Sequence, residues 1–433
     1  MTAIDSLYQH YLKHRIICTD TRNITPGCLF FALKGDNFDA NTFAEKALTS
    51  GAAYAVIDNI AYKTSDRCIL VPDVLSTLQE LASYHRTKLN IPFIGLTGSN
   101  GKTTTKELIN AILAEKYKTF ATKGNLNNHI GVPLSVLSIT DDIEIAVIEM
   151  GANHQKEIEF LCSIAQPTHG LITNVGMAHL DGFGGFEGVK KGKAELYTYL
   201  KANDGHAFIY RNSSFLMEMS KSADLTQVTY YGTEKSDAIF GKLLKTDPFL
   251  EVSWTKEGME YHVETNLTGA YNFENILAAV TIGSYFDVAP NQINKGLSTY
   301  LPKNNRSQIT RTEHNTVICD FYNANPSSMS AALKNISLLS ASSKTVIIGD
   351  MFELGNESAE QHRMIASEAA ALNADTLILI GKAFYELRDQ FEGNFFNTPA
   401  EALEFLRNNP IKDNLVLLKG SRGMALEQLL PSL

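Results

Sequence analysis

A basic excess is missing. Lys and Arg number 38 against 47 Asp and Glu, a formal charge of −9, and a chain that must neutralise phosphates along nucleic acid needs the opposite balance. Nucleic acid is therefore not expected as a partner. Cysteine is scarce too: Cys18, Cys28, Cys68, Cys162 and Cys319 are odd in number, scattered and without a C-x-x-C pair. That speaks against a disulfide framework or a zinc site and fits a reducing cytosol. Long apolar runs are absent, the best being strand-length stretches such as 377–380, too short to cross a bilayer. The opening MTAIDSLYQHYLKH reads as a polar helix without the apolar centre of a signal peptide. The expectation is a soluble cytoplasmic protein with no membrane partner.

What is present is an ordinary globular composition, 44% hydrophobic over 433 residues. At about 150 residues per domain this predicts three domains, each able to bury a core. Residues 18–58 alternate strand, turn, helix and strand, and a helix over 75–88 is stopped by Pro92, which disfavours helix at the residue before it. From there strand-like 93–96, 143–148 and 170–175 alternate with helix-like 102–115, 155–164 and 186–200, the rhythm of a mostly parallel sheet. Residues 207–264 read as antiparallel β structure, followed by a helix over 273–286 and a polar, proline-marked linker at 301–305. The alternation resumes from 316 as a Rossmann-like unit. The predicted class is α/β, with a small N-terminal unit (1–90), a central sheet domain (91–303) and a C-terminal domain (304–433).

The strongest chemical signal is TGSNGKTTTKE at 97–107, between an apolar strand and a helix. Gly98 and Gly101 let backbone N–H groups turn toward phosphate oxygens, Lys102 reaches the outer phosphates, and Thr103 offers a hydroxyl to magnesium at a helix N-terminus. The general P-loop has a glycine five residues before its Gly-Lys, where this chain has Leu96. A nucleotide loop needs a metal carboxylate, and the next strand ends on Glu149. His179 beyond Asn174 reads by itself first as a surface or satisfied residue rather than a ligand, and Lys193 in K-K-G-K as a solvated helix charge.

The shortened loop, with Thr97 before it and T-T-K-E after it, resembles that of the Mur ligase family, whose superfamily includes folylpolyglutamate synthetases. The family's strand-end Glu, its N-V-x-x-x-H segment and its K-x-x-[I/L]-[Y/F] helix are matched by Glu149, by Asn174-Val175 with His179, and by Lys193 to Tyr197. Further segments extend the likeness from TDTR at 19–22 to KGSRGM at 419–424, among them GNLNNHIGVP, EMGANHQKEI, HLDGFG, DFYNANPSSM and GDMFELG. Y-N-A-N-P stands where D-N-P-R would mark the branch that adds the third residue, which favours the branch that adds D-alanyl-D-alanine.

The resemblance implies an ATP-dependent amide ligase joining D-alanyl-D-alanine to UDP-N-acetylmuramoyl-tripeptide through an acyl phosphate, as a monomer, in cytoplasmic peptidoglycan precursor synthesis. It implies an ATP site of Thr97, Gly98, Ser99, Asn100, Gly101, Lys102, Thr103 and Thr104, with Asn272 and Asn275 at the adenine, Arg306 at the γ-phosphate and Asp320 at the ribose. Tyr271 replaces the family's His before that Asn pair, Asn272 also reads as a helix cap, and Arg306 as a surface residue near a linker. Two Mg²⁺ are implied, one on Thr103 and Glu149, the other on Glu149, His179 and a carbamylated Lys193; an anionic oxygen suits hard Mg²⁺. Lys102, Glu149, His179 and Lys193 are the implied catalytic set. Implied substrate contacts are Thr21, Arg22 and Lys34 in the N-terminal unit, Asn127, Asn128, Asn323 and Asn325, and Lys419, Ser421 and Arg422, which read equally as a helix-start turn. The tripeptide's third residue, meso-diaminopimelate or L-Lys, stays open. A folylpolyglutamate-type ligase and a non-catalytic ATP-binding switch are the alternatives.

Overall fold

The computed structural model describes residues 3–433. Its first sheet has four parallel strands in the order Ile17–Cys18, Leu29–Phe31, Tyr54–Ile57, Cys68–Leu70. Strand residues alternate between faces: Phe30, Ala55 and Ile57 pack with the helix Ala44–Thr49, whereas Leu29, Phe31 and Val56 belong to a core shared with the central sheet. The helices Ala3–Lys13 and Val74–Arg86 make that connection, because Tyr11, Leu78 and Leu81 lie in one cluster with Phe93, Ile109 and Val136. The first sheet thus ends before residue 90, but the core runs across it.

Arg86 fastens this junction. Its buried guanidinium donates to the carbonyls of Leu89 (2.7 Å), Ala165 (2.9 Å) and Gln166 (3.0 Å) and lies 3.8 Å from the centre of the Phe93 ring. Burial pulls its pKa down to about 10. Replacing it with Met keeps much of the stem but leaves three carbonyls without donors. We expect Arg86→Met to cost about 3 kcal/mol, read from the urea midpoint; an unmoved midpoint would show that the carbonyls find other donors.

The central sheet has nine strands, in the order Met259–Glu264, Glu251–Lys256, Ile239–Lys245, Val228–Gly232, His206–Tyr210, His169–Ile172, Phe93–Thr97, Ile145–Glu149, Thr119–Ala121. The expectation of antiparallel structure over 207–264 is corrected in part. His206–Tyr210, Val228–Gly232 and Ile239–Lys245 pair in parallel, and only the last three strands in sequence are antiparallel. Between the first two of these the chain passes through a helix the sequence pattern hid, Ser214–Ser222, capped by the Ser213 side chain on the Leu216 N–H, and that crossover returns it in parallel.

The C-terminal sheet runs Gln308–Arg311, Thr316–Asp320, Leu415–Lys419, Lys344–Gly349, Thr376–Ile380, Asn394–Phe396, all parallel except the first pair. Among the described residues the five cysteines are free and buried, and no helix is long and apolar enough to cross a membrane. Both large sheets turn the carboxyl ends of their strands toward one cleft, where Glu149 from one and Asp320 and Lys419 from the other line the same cavity, as open α/β sheets do at their ligand sites.

Candidate active site

The 97–103 loop is laced to the segment after its neighbouring strand. Ser99 and Asn100 donate their N–H groups to the carbonyl and side chain of Asn174 (3.0 and 2.9 Å), and Thr173 donates to the Asn100 carbonyl at 2.6 Å. Only glycine fits at two points. A Cβ on Gly98 (φ 147°) would sit 2.0 Å from the Thr173 hydroxyl, and one on Gly101 (φ 76°), which begins the helix Lys102–Leu113, 2.6 Å from Asn275 Oδ1. Lys102 folds back to donate to the carbonyls of Gly98 (2.7 Å) and Ser99 (3.1 Å). Burial lowers its pKa to about 8, against the pull of Glu149 and with a further push from Arg306.

Glu149 is buried at its strand end. One carboxylate oxygen accepts from Thr103 (3.2 Å) and Asn127 (2.9 Å), and its backbone N–H donates to Thr122. The other oxygen, Oε2, is buried without a hydrogen bond. Lys193, on the helix Phe186–Ala202, is also buried, and its amine has only the Ala152 carbonyl at 3.4 Å and the Phe183 ring at 5.0 Å. Burial above all, then the nearby Lys102 charge, holds its pKa well below the usual lysine value, while Glu157 and Glu195 oppose this.

The cavity above the loop measures about 540 Å³, room for a nucleotide and part of a second substrate. From the central domain it is lined by Asn127, Asn128, Glu149, His179, Asn272 and Asn275, and from the C-terminal domain by Arg306, Asp320, Asn323, Asn325 and Lys419. Thr104 lines it as well; Thr103 and Lys193 lie just beneath. Arg306 stacks 3.9 Å from the Tyr322 ring, its Nε buried and unpartnered.

Several predicted contacts are already engaged. Asn272 donates to the Thr268 carbonyl and accepts from Asn275, which in turn accepts from Thr105, so the pair braces the loop helix as well as facing the cavity. Asn128 caps the backbone of Ile130 and Gly131. Asn325 donates to Asn100 of the loop (2.8 Å) while capping its own helix, and Ser327 accepts from Asn100. Lys419 pairs with Asp320 at 2.7 Å, whose other oxygen accepts from Ser307; Ser421 accepts from the Phe352 N–H, and Arg422 donates to the Tyr322 hydroxyl. His179, in a left-handed backbone conformation, turns Nδ1 to the Glu353 carboxylate of the C-terminal domain. Among the described residues no three His, Cys, Asp or Glu gather as a metal cage, so the predicted set joins at Thr103 and Glu149, with His179 facing Glu353.

Thr21, Arg22 and Lys34 lie outside this cavity. Arg22 is exposed and paired with Asp20, and Lys34 with Asp58 at 2.7 Å. Sequence reading missed Tyr322, Ser327 and Glu353, whose segments it had marked, and Lys106, whose burial in a polar helix turn gave no signal. It also left Tyr271 without a role; its hydroxyl meets that of Ser307 across the two domains at 2.7 Å.

Residues 96–283 match the Mur ligase middle domain and residues 305–422 the Mur ligase, glutamate ligase domain. The chain is 33% identical to the UDP-N-acetylmuramoyl-tripeptide--D-alanyl-D-alanine ligase of Bacillus subtilis, over all of this chain and 95% of the relative. Its identity to the Escherichia coli ligase of the same name is 32%, over 96% and 93% of the two chains. It superposes on a crystal structure of MurF from Acinetobacter baumannii with a TM-score of 0.88 at 30% identity, covering 99% of this chain and 97% of the other.

Proposed function

The chain belongs to the Mur ligase family, and on that premise we propose that it joins D-alanyl-D-alanine to UDP-N-acetylmuramoyl-tripeptide with hydrolysis of ATP to ADP and phosphate, in the cytoplasm. The observation that carries the reading is the single cleft in which the phosphate loop and Glu149 meet Arg306 and Asp320 of the other domain. A carboxylate does not condense with an amine unaided. Transfer of the γ-phosphoryl group to the tripeptide's terminal carboxylate makes an acyl phosphate; the dipeptide amine attacks its carbonyl carbon, and the tetrahedral intermediate collapses by expelling phosphate.

The residues divide this work by charge. Lys102, released from the loop carbonyls, and Arg306, with its free Nε, offset negative charge on the transferring group. Loop N–H groups at the start of Lys102–Leu113 cradle the phosphates. Asn272 and Asn275 face the adenine, and Asp320, oriented by Lys419, faces the ribose.

The donor set fits Mg²⁺: a hydroxyl and a buried carboxylate with one unsatisfied oxygen are hard oxygen ligands. Thr103 and Glu149 would hold one ion, and Glu149, His179 through its remaining ring nitrogen, and Lys193 as its carbamate the other; bound, the ions supply Lewis-acid charge at the phosphoryl oxygens and bring the anionic carboxylate near. Lys193 suits carbamate formation because CO₂ adds to the uncharged amine, with loss of one proton, and burial favours that form. Asn127 and Asn128 would contact the sugar nucleotide near the metal site, Asn323 and Asn325 would contact substrate, and Lys419, Ser421 and Arg422 would border the dipeptide's carboxylate. The N-terminal unit, with Thr21, Arg22 and Lys34, would hold the UDP moiety. We take the three units as divided at 90 and 303 and the enzyme as a monomer.

Mass spectrometry of the products tests the assignment. With ATP, Mg²⁺, bicarbonate, UDP-N-acetylmuramoyl-tripeptide and D-alanyl-D-alanine, we expect a product equal to both substrates less one water, and none from folate with glutamate. Product from the folate pair alone would replace the acceptor; product from neither would remove the ligase reading.

A further inference from the structure

Lys106 is a fully buried lysine that the reaction described above does not use. It lies one helical turn beyond Lys102, with its amine donating to the Thr122 carbonyl at 2.5 Å and pairing with Glu107 at 2.9 Å. Its third neighbour is Glu149: Nζ stands 3.8 Å from Oε2, the buried carboxylate oxygen that has no hydrogen bond. Thr103 and Asn127 occupy Oε1, so the carboxylate has hydroxyl and amide on one oxygen and the lysine charge beside the other. Thr122 joins both residues, since its carbonyl accepts from Lys106 and its hydroxyl from the Glu149 N–H.

A buried carboxylate is costly without a counter-charge, and here a cation is built into the protein before any metal arrives. Two cations on one carboxylate repel each other at short range in a weakly screened site. We propose that Lys106 is a positioning residue that acts as the resident counter-cation of Glu149: it holds the carboxylate toward Thr103 and keeps its affinity for a free divalent cation low, so that the metal enters with the nucleotide's phosphates. The nucleotide brings the negative charge that tips the balance. This rests on the reading of Glu149 as a metal carboxylate.

The test uses the full chain and Mn²⁺ as probe, with binding followed by electron paramagnetic resonance and by thermal melting. The unaltered protein should bind Mn²⁺ alone weakly and much more tightly with ADP. Lys106→Met should melt lower without metal, bind Mn²⁺ alone about 10-fold more tightly, and regain melting temperature as Mn²⁺ is added; Lys106→Arg, which keeps the charge, should behave as the unaltered protein. Glu107→Gln, a change at a partly exposed residue, removes the lysine's other acid and should move Mn²⁺ binding the opposite way. A purely structural lysine would lower stability without tightening metal binding. The proposal is overturned if folded Lys106→Met binds Mn²⁺ no more tightly, or, should that variant not fold, if Glu107→Gln leaves the affinity unchanged. Glu149→Gln separates the two claims: undiminished Mn²⁺ binding with ADP in that variant removes Glu149 from the metal site, whatever Lys106 does.

Discussion

Lys193→Ala loses turnover by about 10²-fold or more, and short carboxylates such as formate or acetate restore part of it. The expectation follows from the pocket rather than from the charge of a free lysine. The amine is buried with one long contact to a carbonyl and a cation neighbour in Lys102, a poor place for an ammonium and a good one for a carbamate. Removing the side chain leaves a hole about the size of the lost stem, which a small carboxylate can enter with its oxygens toward the metal side. Turnover is to be measured at saturating substrates, with and without the added anion. Unchanged turnover would dismiss the carbamate, and loss without rescue, in a variant that melts at a clearly lower temperature, would make Lys193 a packing residue.

Lys102→Met lowers kcat/KM by about 10³-fold and leaves stability unchanged or slightly raised. In the nucleotide-free protein the ammonium satisfies only carbonyls of its own loop while burial presses its pKa down to about 8. Folding therefore gains little from it, and its charge serves phosphate. Melting temperature and phosphate release together check this: a fall in stability that accounts for the lost activity would contradict it.

The loop and Glu149 were legible in the sequence because their spacing is local, with glycines at fixed offsets and an acid at the end of an apolar strand; the helix that carries Lys193 was legible too, but Lys193 itself read as a solvated charge and took its role from the resemblance. The metal and nucleotide roles of His179, Arg306 and Asp320 were inferred by resemblance, since each depends on where a second domain comes to rest. The structure adds what no local pattern carries. Asn325 was marked only as a substrate contact, yet it also braces Asn100 from the other domain, and His179 meets Glu353 across the same cleft. The helix Ser214–Ser222 escaped detection because it is only 9 residues long and sits inside a stretch otherwise read as β structure, and so the parallel pairing of the strands on either side of it was missed. Lys106 was hidden for the opposite reason: a lysine in T-T-T-K-E reads as exposed, and only the strand end at Thr122 buries it.

The central claim is that the tripeptide's carboxylate is activated by phosphoryl transfer in this cleft. It is tested most directly by labelling that carboxylate with ¹⁸O and following the label during ligation. An acyl phosphate predicts one ¹⁸O atom in each released inorganic phosphate, because the carboxylate oxygen that received the phosphoryl group leaves with it. Phosphate without the label, or label in AMP, would contradict the account.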